Sequence, residues 1–90
     1  MNKVVLVEVL TASDCGICQK AKLLAKEVVA EFSDTTIRYR EINVVEEIDY
    51  AVSLGILNTP AIALNGELVF PALPSKAALH QAISERLRKN

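Results

Sequence analysis

The chain has 90 residues, of which 51% are hydrophobic and 23% charged, and its formal net charge is −1. This balance is typical of a globular protein with one hydrophobic core, so we expect residues 1–90 to form a single domain. The charge shows no basic excess that would indicate nucleic-acid binding, and no apolar run approaches the roughly 18 residues of a membrane span, so we expect neither a nucleic acid nor a membrane as partner.

The N-terminal half alternates between strand and helix patterns. Residues 4–10 form a nearly continuous Val/Leu run, typical of a strand buried on both faces. A charged residue interrupts the run and no convincing cleavage site follows, so a strand explains it better than a signal peptide, and we expect a cytoplasmic protein. From Cys15 to about Phe32 the apolar residues recur at helical spacing, which predicts an amphipathic helix with Ser13 or Asp14 as its N-cap.

A second strand and a second helix follow. Residues 37–42 are partly alternating and β-prone, which predicts a strand. A helix is expected to begin at Asn43 or Val44 and to end at Gly55. Its apolar residues are expected to face the core, and they are Val45, Ile48, Val52 and Ala51.

The C-terminal part predicts a hairpin and a last helix. Asn65-Gly66 is the strongest short hairpin signal in a sequence, and it separates strands at residues 61–64 and 67–70. Ser75 is the expected cap of a helix that carries Leu79, Ala82, Ile83 and Leu87 on its apolar side. The resulting order is βαβαββα. Because strand–helix–strand units give parallel pairs and the hairpin adds an antiparallel one, we predict an α/β fold with a mixed four-stranded sheet flanked by three helices.

Two cysteines, Cys15 and Cys18, are separated by Gly16 and Ile17. The ring that they would close is too small to constrain the unfolded chain strongly, so a reversible redox pair is more plausible than a structural staple. Positions i and i+3 at a helix start share one face, so the two sulfurs can meet in a disulfide. The unpaired N–H groups and positive dipole of a helix N-terminus favour a thiolate on the first cysteine.

These properties predict a thiol–disulfide oxidoreductase. Cys15 is the expected nucleophile that attacks a disulfide of the partner, and Cys18 is the expected resolving thiol. Gly16 keeps the approach to Cys15 open, and Ile17 offers an apolar contact to a protein partner. Metal binding and incidental thiols are the alternatives. One chain provides only His80 besides the cysteines, too few ligands for zinc, whereas two thiolates alone suit a soft ion such as Cu(I).

Three features in order resemble the thioredoxin-like superfamily. A buried strand runs into Cys15-Gly16-Ile17-Cys18, a loop at residues 55–61 contains Thr59-Pro60, and a hairpin precedes the last helix. The chain is similar in size to the small, glutaredoxin-sized thioredoxins of bacteria and archaea. The resemblance implies a cis Thr59–Pro60 bond against the cysteine pair, with Thr59 and Pro60 contacting substrate. It also implies protein disulfides as substrates, an upstream reductase, a monomer and no bound cofactor.

Several positions depart from the family pattern. Asp14 stands where thioredoxins commonly carry Trp, and its carboxylate would disfavour a neighbouring thiolate. The family's buried acid would fall near Val9, which is apolar. Glu8, one residue earlier, could replace this acid only if its side chain turned to the same face. Strand alternation favours the other face for Glu8, where we expect it to be structural or exposed at an edge.

A glutathione-linked, glutaredoxin-like protein is a further alternative. Such proteins usually carry a Gly-Gly followed by acidic residues after the last strand, and residues 70–75 contain neither. Lys20 and Lys22 are basic residues near the cysteines that could meet a glutathione carboxylate, but exposed lysines on a helix are common. We therefore expect a protein disulfide as the substrate.

Overall fold

The computed structural model describes residues 4–13, 15–32 and 36–88. Within these ranges the elements follow the predicted βαβαββα order, and the strand bounds differ from the prediction by at most one residue. The elements are β1 (Val5–Thr11), α1 (Cys18–Ala30), β2 (Ile37–Asn43), α2 (Ile48–Leu54), β3 (Ala61–Leu64), β4 (Glu67–Phe70) and α3 (Lys76–Arg88).

The four strands form one mixed sheet in the order β2-β1-β3-β4. β1 runs parallel to β2 and antiparallel to β3, and β3 and β4 form an antiparallel hairpin. Asn65 and Gly66 at the hairpin tip have φ values of 54° and 78°, the left-handed backbone that tight hairpins require at both central positions. The predicted fold class is therefore confirmed, and β1 lies in the interior of the sheet.

The sheet separates two hydrophobic clusters. Successive residues of a strand point to opposite faces. Val5, Val7 and Val9 of β1 belong to the larger cluster, which includes buried residues of α1 and α3. Leu10 belongs to the smaller cluster, which includes Ala51 of α2. We call these two sides the α1/α3 face and the α2 face.

Helix α1 begins at Cys18, three residues later than predicted. The N–H of Cys18 donates to the carbonyl of Cys15 at 3.3 Å, so the two cysteines are joined by a tight turn of i→i+3 type that leads into the helix. Ile17 is the N-cap and makes no side-chain hydrogen bond, so the prediction of Ser13 as the cap was wrong. The alternative cap, Asp14, lies outside the described residues.

Helix α2 begins at Ile48 rather than near residue 43. Asn43 remains in β2, and its Oδ1 accepts the N–H groups of Val45 and Glu46, so it caps a single turn that precedes the helix. Only Ala51 is buried in this seven-residue helix. The prediction that Val45, Ile48 and Val52 face the core was wrong, because all three are exposed.

The ends of α2 and α3 match the sequence prediction. Gly55 terminates α2 with a left-handed φ of 81°, a conformation that glycine adopts without steric cost. Ser75 Oγ accepts the N–H of Ala78 at 3.1 Å and so caps α3. Among the described residues, no helix is both long and apolar enough to cross a membrane.

Candidate redox site

The cysteine pair lies between the end of β1 and the start of α1. Cys15 and Cys18 form a disulfide, with an S–S distance of 2.04 Å and a Cα–Cα distance of 5.4 Å, so the prediction that the sulfurs meet is confirmed. The two residues differ in exposure. Cys15 is half-buried, whereas only 4% of Cys18 is exposed. An incoming molecule therefore reaches Cys15 first.

A pocket of about 550 Å³ lies beside the disulfide. Both cysteines and Gly16 line it, together with a mostly polar set, namely Thr11, Ala12, Ser13, Gln19, Lys22 and Asn43. A Cβ atom added at Gly16 would meet no other heavy atom within 4 Å, so this position borders open space. Ile17 does not line the pocket, and its side chain is about half exposed (48%).

The loop before β3 lies at the same end of the sheet. Ala61, the first residue of β3, pairs with Leu10, one residue before the end of β1. The preceding Thr59–Pro60 peptide bond is cis, which is the isomer that the family resemblance implies. Pro60 is buried, and Thr59 lines a neighbouring groove rather than the cysteine pocket. Of the six candidate residues, the structure thus brings Cys15, Gly16 and Cys18 into one pocket.

The neighbouring groove has a volume of about 400 Å³ and is mostly apolar. We call it the α2 groove, and it is lined by Val44, Val45, Ile48, Ala51, Val52, Ile56, Leu57, Asn58 and Thr59. Leu57 is 91% exposed, and Val45, Ile48 and Val52 are also exposed. Sequence reasoning assigned the last three to the core. No signal in the sequence distinguishes them from core residues, because they recur at i, i+3 and i+7, as the buried face of a helix does.

Glu8 lies in the interior of the sheet and on the α2 face. Its side chain is fully buried, with 0% exposed. The hydroxyl of Tyr50 donates to Oε1, and Arg40 Nη1 lies 3.1 Å from Oε2. Glu8 is therefore structural, as expected, and the alternative that it lies exposed at an edge was wrong. Val9 is buried on the α1/α3 face, so the position expected for the family's acid is apolar.

A second charged cluster lies on the α1/α3 face. Glu41 pairs with Val9 across β1 and β2, and its carboxylate is 3.7 Å from Lys22 Nζ and 3.4 Å from Lys26 Nζ. The hydroxyl of Tyr39 also donates to it at 3.0 Å. Burial opposes ionisation of Glu41, but the Tyr39 hydroxyl and the two lysines outweigh it and hold the pKa of the carboxyl below its usual value. This cluster was not predicted as part of the site.

Comparisons with known proteins agree with this geometry. Residues 5–84 match the family model described as "Thioredoxin domain". The chain is 38% identical over 87 residues to a thioredoxin from Methanocaldococcus jannaschii, covering 97% of this chain and all of the relative. It is 33% identical over 84 residues to a probable thioredoxin from Methanothermobacter thermautotrophicus, covering 93% of this chain and 98% of the relative.

A solved thioredoxin structure also has the same fold. A mutant thioredoxin from Halobacterium salinarum superposes with a TM-score of 0.77 at 26% identity, covering 98% of this chain and 79% of that one. Thioredoxins act on protein disulfides and are then reduced again by a reductase. The glutaredoxin-like and metal-binding alternatives are less supported, because the named relatives are thioredoxins. The chain therefore belongs to the thioredoxin domain family and is a small thiol–disulfide oxidoreductase that carries electrons on its Cys15–Cys18 pair.

Proposed function

We propose that Cys15 is the nucleophile and Cys18 the resolving thiol in the reduction of protein disulfides. The observation that carries this assignment is the difference in exposure within the disulfide, since Cys15 is half-buried and Cys18 is almost fully buried. Cys15 also precedes the first turn of α1, where backbone N–H groups lack intrahelical partners and favour a thiolate.

The reaction consists of two thiol–disulfide exchanges. The thiolate of reduced Cys15 attacks one sulfur of the partner's disulfide, and the partner's other sulfur leaves as a thiolate that takes up a proton. Cys18 then loses its proton and attacks the sulfur of Cys15. The bond between Cys15 and the partner breaks, so the partner is reduced by two electrons and the Cys15–Cys18 disulfide forms. An upstream reductase returns both cysteines to thiols.

The surface beside the disulfide fits a polypeptide substrate. Thr59 links the cis-proline loop to the exposed apolar side chains of the α2 groove. Exposed apolar patches of this kind are typical of surfaces that bind other proteins. We assign Gly16, Ile17, Thr59 and Pro60 to substrate contact. We further propose that the chain acts as a cytoplasmic monomer formed by one domain.

Reduction of insulin by dithiothreitol tests the roles of the cysteines. The wild-type protein is expected to accelerate the reaction, and Cys15→Ser is expected to abolish the acceleration. Cys18→Ser should instead retain the first exchange and hold insulin or a cellular partner in a mixed disulfide on Cys15, which mass spectrometry would identify. Full acceleration by Cys15→Ser, or trapping through Cys18 rather than Cys15, would contradict the assignment.

A further inference from the structure

We propose that Lys22 stabilises the thiolate of Cys18 during the resolving exchange, and so acts as a positioning residue for the second half of the reaction. The inference rests on the proposed role of Cys18. It adds a residue that neither the cysteine motif nor the cis-proline loop indicates.

Cys18 must ionise in a poor environment for charge. Only 4% of its surface is exposed, and Val9 provides no acid on the same face of the sheet. Burial disfavours a thiolate, which is the form that attacks a disulfide. Among the described residues that line the cysteine pocket, Lys22 is the only charged one. A compensating charge for Cys18 is therefore available from one side chain of this pocket.

The helix places Lys22 correctly for this role. Lys22 follows Cys18 by four residues in α1, and positions i and i+4 are neighbours on one helix face. Side chains of a helix lean towards its N-terminus, so the lysine extends back towards the pocket that both cysteines line. Its side chain is 27% exposed, and salt and solvent screen a half-buried charge less than one on an open surface.

The other charges near this pocket leave Lys22 available. Glu41 of β2 is shared by two lysines, and Lys26 lies closer to it, at 3.4 Å, than Lys22 does, at 3.7 Å. Tyr39 donates a further hydrogen bond to the same carboxylate. Glu41 thus keeps two partners when Lys22 turns to an anion in the pocket. From β1 the facing residues are Val9 and Thr11, which do not titrate, and Asp14 lies outside the described residues.

The step balances without a change in the protonation of Lys22. Cys18 gives its proton to water in the pocket, and its thiolate attacks the sulfur of Cys15 in the mixed disulfide. The bond from Cys15 to the partner breaks, and the partner leaves as a thiolate that takes a proton from water. Lys22 remains an ammonium throughout and favours the charged form of Cys18 by opposite charge.

A two-phase measurement separates this effect from the first exchange. When the reduced protein is mixed rapidly with dithiodipyridine, an uncharged chromogenic disulfide, the attack by Cys15 releases one thiopyridone and the resolution by Cys18 releases the second. In Lys22→Gln, the second phase is expected to slow about threefold to tenfold at neutral pH. The difference should disappear at alkaline pH, where Cys18 ionises without assistance.

Two variants serve as controls. Lys22→Arg keeps the charge and should restore the second phase. Lys20→Gln removes an exposed lysine of the same helix that does not line the pocket, and it should match the wild type. Equal second phases in Lys22→Gln and Lys20→Gln, or a slowing that does not depend on pH, would overturn the inference. Failure of the proposed function is distinguishable, because Cys15→Ser would then release the first thiopyridone as fast as the wild type does.

Discussion

A fully buried carboxylate requires partners, and Glu8 has two. Tyr50 donates a hydrogen bond from α2, and Arg40 lies 3.1 Å away in β2. Arg40 is also 3.5 Å from Glu47, which is exposed, so Arg40 joins the buried carboxylate of Glu8 to a carboxylate at the surface. An unpaired buried charge is strongly destabilising, which explains why Glu8 is surrounded in this way. The arrangement attaches α2 to the sheet by a polar contact, because the helix itself buries only Ala51.

This contact predicts how stability depends on alkaline pH. Burial and the bond to Glu8 raise the pKa of Tyr50 from 10.0 to about 12. Between these values the unfolded chain has lost the phenolic proton while the native state keeps it. The native state then binds more protons, so the free energy of unfolding falls as the pH rises from about 10 to 12. Burial and Glu41 raise the pKa of Tyr39 as well, so it adds to the effect.

Urea unfolding at several pH values checks this prediction. Tyr50→Phe should show a smaller loss of stability above pH 10.0 than the wild type does, because one of the two tyrosines no longer contributes. The chain has no Trp, so the ultraviolet absorbance of the phenolates reports on Tyr39 and Tyr50 alone. If the phenolate absorbance appeared at the same pH in the native protein and in the urea-unfolded chain, the prediction would be contradicted.

The elements with strong local signals were predicted best. Asn65-Gly66 predicted the hairpin correctly, Ser75 predicted the start of α3, and Gly55 predicted the end of α2. Each of these residues satisfies a specific requirement of the backbone. The prediction was wrong for α2, where apolar residues at helical spacing suggested a longer helix. Residues 44–47 form only a single turn, which the side chain of Asn43 caps, and the regular helix begins at Ile48.

Because α2 begins later than the sequence predicts, apolar side chains are exposed in the α2 groove, and this leads to a prediction about substrates. Leu57 is 91% exposed in the α2 groove, so Leu57→Ser should leave the fold intact and remove an apolar contact with a protein substrate. We expect KM for insulin to rise about threefold to tenfold, because an apolar side chain at an interface contributes on the order of 1 kcal/mol. The rate with a small disulfide such as dithiodipyridine should not change.

A matched variant distinguishes the groove from general surface effects. Leu23 is 55% exposed on α1 and lines neither the groove nor the cysteine pocket. Leu23→Ser should therefore leave KM for insulin at the wild-type value. An equal rise in both variants, or a loss of small-disulfide reduction in Leu57→Ser, would exclude the groove as a protein contact.

For the whole molecule, topology was predictable and side-chain partnerships across the sheet were not. The order of patterns along the chain determined the sheet, and the spacing of Cys15 and Cys18 determined the disulfide. The contact of Lys22 with Glu41 depends on the register between α1 and β2, which no local pattern contains. The contact of Glu8 with Tyr50 spans 42 positions of the chain and was not predictable for the same reason.

The unequal clusters on the two faces predict unequal local stability. Two 13-residue helices, α1 and α3, cover the larger cluster, whereas α2 is a seven-residue helix with one buried residue. Segments with few buried apolar contacts open more readily than the core does. We expect amides of α2 to exchange with deuterium by local opening, and amides of β1 to exchange only when the whole chain unfolds. Native-state exchange that gave α2 the protection of β1 would contradict this prediction.

The position of the sheet between the two sites has a consequence for protein engineering. The cysteines and Lys22 lie with α1 on one face, while the apolar groove is formed by α2 on the other. The exposed apolar side chains proposed to contact substrates are thereby separated from the helix that carries Cys18. These exposed residues can be exchanged to redirect the protein to a new client, and the driving force of the electron transfer would stay as it is.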